Sequence, residues 1–309
     1  MGHPKMFKQI IVEEQIKAAS KVIRSGNLSS LHGNEVALFE DEVAKKLGVR
    51  NAVAVNSGTA ALHLALLSMN IGEGDEVILP ALTFIATLNA VKMTGATPVI
   101  IDVEKGTYAM DPTEFKLAIT HKTKAVIPVH LASIPAQMDA IMEIAELNHI
   151  EVIEDACQAF GSKWNDQYVG TIGKIGCFSF YPSKIITTGE GGMIVTNNNH
   201  IAATCLELRS HGMAVNIAYN YRMTEVAGAL GVVGMKYFDK IKEHNKMIYE
   251  MIATTTLWLP PLIPSKADIA PTYIPLRYPK LDEMNFYQPL AQLPHSVEAY
   301  NRTKKVRLN

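Results

Sequence analysis

The sequence predicts an α/β fold: a mostly parallel sheet held between two layers of helix, with a smaller unit after it. Three observations carry this prediction. Between about residues 51 and 155, short strands alternate with helices four times over. The strands read almost wholly apolar ("NAVAV", "EVILP", "TPVIID"), as strands covered on both faces do. The chain has 309 residues, 48% hydrophobic and 19% charged, enough for a large core and a second, smaller one.

The elements follow in order. Apolar positions recur at helical spacing from Ile11 to Arg24, and Gly26 stops that helix. "NEVALFEDEVAKKL" is a second amphipathic helix, with Asn34 as its expected N-cap and Gly48 as its stop. Then come the strand "NAVAV", the Ala/Leu-rich helix "GTAALHLALLSMN", the strand "EVILP", the helix "TFIATLNAVKMTG" and the strand "TPVIID". "DPTEFKLAIT" is a helix whose first turn holds Pro112 behind Asp111. "KAVIPVH", "PAQMDAIMEIAELN" and "IEVIEDA" continue as strand, helix, strand. After Gly161 the pattern changes to strands at 175–180 and 192–196, with helices at about 199–210 and 223–234. A separate helix is expected over "KYFDKIKEHNKMIYEMIA", and the chain is Pro-rich from Thr255 onward. A boundary near 236–240 divides a large domain, 1–237, from a small C-terminal α+β domain, 238–309.

Composition excludes several classes. The 29 basic and 30 acidic residues leave a net charge of −1, with no basic surplus for nucleic acid. Cys157, Cys177 and Cys205 form neither a CxxC pair nor a disulfide framework, so they read as reduced thiols of a cytoplasmic protein, with no metal site expected. The first twenty residues lack the apolar core of a signal peptide. Residues 51–72 carry no formal charge, but the Asn56-Ser57-Gly58-Thr59 interruption and His63 argue for strand, turn and helix over a membrane span.

Ligands of open α/β sheets bind beyond the carboxyl ends of the strands. Three features fall there. In "VNSGTAAL", a strand enters Ser57-Gly58-Thr59 and a helix starts; its free N–H groups suit a phosphate, while an ordinary cap by Ser57 or Thr59 is the plainer reading. In "VIEDACQAFG", Asp155 ends an apolar strand and needs a cation or several N–H donors, either as a helix cap or as counter-ion to a protonated ring nitrogen. Glu154 before it faces the other way by strand alternation. In "FSFYPSKIITTGEGGMIVT", Lys184 sits in a turn between two core strands. An amine sheltered from water is a nucleophile toward carbonyls and forms Schiff bases. Lys163 and Lys174, beside other turns, read as surface lysines. A Schiff-base lysine, an acid for a pyridine nitrogen, a phosphate cradle and an aromatic cover together match pyridoxal 5'-phosphate. Phe84, at a helix start, supplies the cover or else a core aromatic.

The chain resembles the DegT-type nucleotide-sugar aminotransferases, a branch of the fold-type I PLP enzymes. The resemblance rests on "NSGTAALHLAL", "GDEVILPALTFIATLNAV", "VIEDACQAFGS", "CFSFYPSKIITTGEGGMIVT", "RSHGM" and "YNYRMTEVAGALGV", and spans about residues 20–240. It implies that Lys184 holds the cofactor, Asp155 faces the pyridine nitrogen and Phe84 stacks on the ring. It places Gln158 near the ring hydroxyl, and Ser57, Gly58, Thr59 and Ser179 around the phosphate. Asn220 matches an asparagine that reaches the phosphate of a neighbouring subunit, which implies a homodimer with shared sites. The implied reaction passes an amino group, from glutamate, to a nucleotide-linked keto sugar. Two other readings are a sugar dehydratase relative, in which histidine replaces the lysine, and a non-catalytic homologue. His211 and Arg222 are either substrate contacts or helix-end polar residues. The loop between "HGM" and "YNYR" is short, and Asn285 and Ala291 stand where the family has histidines, so the small domain reads as abridged.

Overall fold

A computed structural model describes residues 4–212, 217–255 and 262–272. The small-domain features beyond, Asn285 and Ala291 among them, lie outside the described residues. The elements run α1 (Pro4–Ser25), α2 (Glu35–Leu47), β1 (Asn51–Val55), α3 (Gly58–Ser68), β2 (Glu76–Pro80), α4 (Ile85–Met93), β3 (Thr97–Ile101) and α5 (Pro112–Ala118). They continue with β4 (Thr123–Val126), α6 (Met138–Leu147), β5 (Glu151–Asp155), the short β6 (Lys163–Trp164) and β7 (Gln167–Tyr168), then β8 (Ile175–Ser179) and β9 (Gly192–Thr196). Helices α7 (Asn199–Arg209) and α8 (Glu225–Thr255) and the short β10 (Ala267–Asp268) follow.

Seven strands form one sheet in the order β1-β9-β8-β5-β4-β2-β3. The pairs β8–β5, β5–β4, β4–β2 and β2–β3 are parallel, while β9 runs antiparallel to both its neighbours. Two antiparallel steps return β1 to the direction of β8. The carboxyl ends of β1, β2, β5 and β8 therefore share one edge of the sheet, and the turn from β8 into β9 lies on that edge too.

Strand alternation divides the core in two. On one face, Phe178, Met193 and Val195 pack with Val36, Phe39 and Val43 of α2, Phe115 of α5, Met138 and Ile141 of α6, and Phe238 of α8. On the other, Val53, Val55, Ile153, Cys177 and Ile194 pack against α3, α4 and α7. Nearly every side chain of α3 is buried, because it lies between the sheet and two other helices; its Ala and Leu content permits that. Asp111 caps α5 through the Thr113 N–H (2.8 Å), with Pro112 in the first turn as the sequence indicates.

Two expectations are corrected. Asn34 makes no side-chain cap to α2. The carboxylate of Glu225, 190 positions away, takes the N–H of Glu35 (2.6 Å) and that of Val36 (3.2 Å) instead. An anion at a helix start supplies what a cap hydroxyl or amide would, and it also answers the helix dipole. The two helices expected at 223–234 and from Lys236 are one: α8 runs unbroken for 31 residues. Mixed charge on its exposed stretches disguised the continuity, which packing against α1 and α2 supports.

Candidate active site

The site forms where β1, β5 and β8 end. Ser57 Oγ accepts the Ala60 N–H (3.1 Å) and the Ser57 carbonyl accepts that of Ala61 (3.1 Å). The plain capping role of Ser57 is thus present, and the N–H groups of Gly58 and Thr59 remain for the helix start to offer an anion. Gly58 is required by close approach: a Cβ there would lie 2.9 Å from both Cys157 Sγ and Ser179 Cβ. Ser179, the last residue of β8, therefore lies directly against the start of α3.

Asp155 ends β5 and is 5% exposed. Its Oδ2 accepts the hydroxyl proton of Thr87 (2.7 Å), and its Oδ1 accepts the Cys157 N–H (3.1 Å). A buried carboxylate has about four acceptor positions, so capacity for another donor remains.

Lys184 is half-buried in the turn from β8 to β9. Backbone bonds close this turn: Phe180 N to Gly191 O, Thr188 N to Phe180 O and Lys184 N to Tyr181 O, each 2.9 Å. Ile185 and Ile186 are buried and anchor the turn in the core, with Ile186 packed on Gly234 of α8. The two isoleucines after the lysine are therefore what hold it in place. Burial pushes the Cys157 thiol well up, the negative charge of Asp155 and then Cys177 reinforce this, and the positive charge of Lys184 opposes it. The thiol is kept protonated. Cys157 thus joins Asp155, through its N–H, to the phosphate-type cradle, through Gly58.

Other expected residues take these places. Phe84 is the N-cap residue of α4 and is 46% exposed, so its ring is not a core aromatic. Gln158 Oε1 accepts the Ala132 N–H (2.9 Å), and its carbonyl accepts Ser133 Oγ (2.8 Å), which holds it beside the turn after β4. Asn220 is exposed; its backbone bridges to Ser210, and its carbonyl accepts Asn56 Nδ2 (3.5 Å). Arg222 Nη2 lies 3.4 Å from His211 Nε2, and Arg222 borders a cavity of about 190 Å³ with Asn56, Thr188 and Glu190. Lys163 lies over the Tyr168 ring and Lys174 pairs with Glu151 (3.7 Å), both away from the cluster.

Sequence reasoning missed two features. One is Thr87, whose hydroxyl meets Asp155; a threonine inside an apolar helix gives no signal of its own. The other is the setting of Glu154, which does face away from Asp155. Glu154 is 0% exposed and accepts from His130 Nε2 (3.0 Å) and from the N–H groups of Gly170 (2.7 Å), Ile172 (2.7 Å) and Gly173 (2.6 Å). His130 Nδ1 accepts the Ala136 N–H (3.1 Å), so Nε2 carries the proton given to Glu154. The glycines at 170 and 173 were its only trace in the sequence.

A carboxylate and a closely packed helix start gathered at one edge of a mostly parallel sheet are the arrangement in which α/β folds bind ligands. Comparison narrows this: residues 9–270 match the model of the DegT/DnrJ/EryC1/StrS aminotransferase family, and the chain belongs to that family. It is similar to GDP-perosamine synthase of Escherichia coli O157:H7, 44% identical over 72% of this chain and 63% of that protein. It is also similar to a UDP-N-acetyl-3-dehydro-alpha-D-glucosamine 3-aminotransferase of Acidithiobacillus ferrooxidans, 46% identical over 65% of this chain and 56% of that one. The chain therefore matches less than two thirds of the length of these curated relatives. Among solved structures, the PLP form of Spr1654 from Streptococcus pneumoniae superposes with a TM-score of 0.80 at 28% identity, over 85% of this chain and 74% of that one. The cofactor of the family is pyridoxal phosphate, and the cradle that a Cβ at position 58 would fill, the exposed Phe84 ring and the Asp155 carboxylate fit it. Among the described residues, no helix is long and apolar enough to cross a membrane.

Proposed function

We propose that this chain is an aminotransferase that passes an amino group from glutamate to a nucleotide-linked keto sugar, with Lys184 as its Schiff-base lysine. One observation carries the reading most: the start of α3 packs at Gly58 against Cys157 and Ser179, the Cys157 N–H meets Asp155, and the turn that carries Lys184 begins directly after Ser179, all on one edge of the sheet. Bound pyridoxal phosphate supplies an electron sink for a carbanion next to nitrogen.

The chain's own residues would do the rest. Gly58, Thr59 and Ser179 bind the phosphate, helped by the start of α3. Asp155 holds the proton at the pyridine nitrogen, Phe84 covers one face of the ring and Gln158 stands near its hydroxyl. Nζ of Lys184 takes a proton from the reacting carbon and returns it. Asn220, exposed beside Asn56, reaches toward a second copy in a cytoplasmic homodimer. The names of both relatives support a nucleotide-linked sugar as acceptor. Lys184 itself speaks against the dehydratase reading, which needs histidine there. The proposed domain boundary at 237/238 falls inside α8, which would then belong to both units.

The test is direct. Protein purified with pyridoxal phosphate is expected to be yellow, to lose that colour with glutamate, and to aminate at least one member of a panel of nucleotide-linked keto sugars. A yellow protein that glutamate leaves unchanged, and that aminates none of the panel, would refute transamination.

A further inference from the structure

We infer that Thr87, backed by Thr83, is a positioning residue for the cofactor: its hydroxyl fixes the orientation of the carboxylate that faces the ring nitrogen. The inference rests on the cofactor reading above and deepens it.

Thr87 lies in the first turn of α4 and is 0% exposed. A threonine in a helix ordinarily gives its hydroxyl proton to a carbonyl one turn back. Thr87 gives it to Asp155 Oδ2, 68 residues away, at 2.7 Å. Its hydroxyl oxygen lies 2.7 Å from Thr83 Oγ1. Since the one Thr87 proton is spent on the carboxylate, Thr83 is the donor in that second bond. Thr83 is 6% exposed, and the two side chains sit four positions apart on one side of the turn. A buried relay thus runs from Thr83 through Thr87 to Asp155.

The geometry gives the relay a purpose. The Cys157 N–H holds Oδ1 alone, and a carboxylate held at one oxygen still turns about its terminal torsion. Thr87 holds the second oxygen and stops that rotation. The same turn carries Phe84 as its N-cap residue. The ring-covering aromatic and the group that orients the ring's counter-ion are therefore one rigid unit, and they move together or not at all.

Thr87→Val keeps the shape and removes the hydroxyl; Thr87→Ser keeps the hydroxyl and removes a methyl. Each is purified as apoprotein and titrated with pyridoxal phosphate. The Kd is read from the visible absorbance, as is the pH midpoint of the bound cofactor's colour change. Thermal melts of the apoproteins report folding separately. A hydrogen bond to a charged group supports an expected loss of about tenfold in cofactor affinity for Thr87→Val. The pH midpoint is expected to shift in Thr87→Val, to return to the parent value in Thr87→Ser, and to shift less in Thr83→Val. Thr87→Val with the parent's Kd and midpoint overturns the inference. So does Thr87→Ser behaving as Thr87→Val, because packing and not the hydroxyl would then be at work. If the parent protein itself gives no absorbance change with pyridoxal phosphate, the cofactor reading falls and this inference with it.

Discussion

Glu154 and Asp155 are neighbours in the chain, both ionisable, both buried, and they face opposite sides of β5. Glu154 accepts four hydrogen bonds, three from the backbone of 170–173 and one from His130. Among the described residues, Asp155 accepts from the Thr87 hydroxyl and the Cys157 N–H. A carboxylate offers about four acceptor positions, so the first is filled by its own chain and the second is not. Saturation marks a structural anchor: Glu154 ties the segment before β8 to the turn after β4. Incomplete satisfaction, in an equally dry place, marks a group prepared for a further donor. Burial alone would not have told the two apart.

The largest expected effect lies on the Asp155 side. Lys184→Ala is expected to abolish the adduct trapped by borohydride and to lower turnover by at least ~10²–10⁴. Asp155→Asn should lose cofactor affinity while melting within a few degrees of the parent. A trapped adduct that survives in Lys184→Ala would move the Schiff base to another lysine.

Glu154→Gln probes the other face. It puts an amide where four donors converge, and the expected cost is about 3 kcal/mol of folding stability. Thermal or urea denaturation reads this. If Glu154→Gln unfolds like the parent while Asp155→Asn does not, the assignment of anchor and functional carboxylate is inverted.

Glu225 extends the comparison to a third carboxylate, bound to two N–H groups at the start of α2. Glu225→Ala should cost about 1 kcal/mol, the size of a lost N-cap, in the same denaturation assay. Asn34→Ala should cost close to nothing, since its side chain caps no group of the helix. Equal losses at the two positions would return the cap to Asn34.

The smallest effect contrasts two histidines. Both ring nitrogens of His130 are bonded, whereas His63 on α3 meets Tyr221 through Nδ1 (3.2 Å) and, among the described residues, has no partner at Nε2. Burial lowers the His63 pKa from its ordinary value. The unfolded chain then binds the proton more readily, so His63 favours folding above about pH 6.5 and that contribution is lost as pH falls below it. Tm measured from pH 7.5 to 5 should decline less steeply in His63→Gln than in the parent; identical slopes would remove His63 from the acid limb.

Much of this was readable along the chain. The order of strands and helices from β1 to β5 follows from periodicity, as do β8 and β9, whereas the two-residue β6 and β7 are too short to show a period; Lys184, Asp155 and Gly58 stood out because polar groups at strand ends interrupt apolar runs. Asp111 with Pro112 announced the start of α5. Asn34 looked equally good and does not cap, because a carboxylate from the far end of the domain reaches the same N–H groups. The 31-residue α8 looked like two helices, since its surface charges hide a face that only α1 and α2 reveal.

Local pattern settled which segments between residues 51 and 155 would be strand or helix and which side chains would stand at the ends of those strands, because period and turn chemistry act over a few neighbouring residues. The three-dimensional arrangement alone decided who meets whom: Thr87 with Asp155, Glu154 with His130 and the 170–173 backbone, Glu225 with α2. Those contacts join residues far apart in sequence, and a hydroxyl or carboxylate in the chain carries no sign of the partner that packing will bring to it.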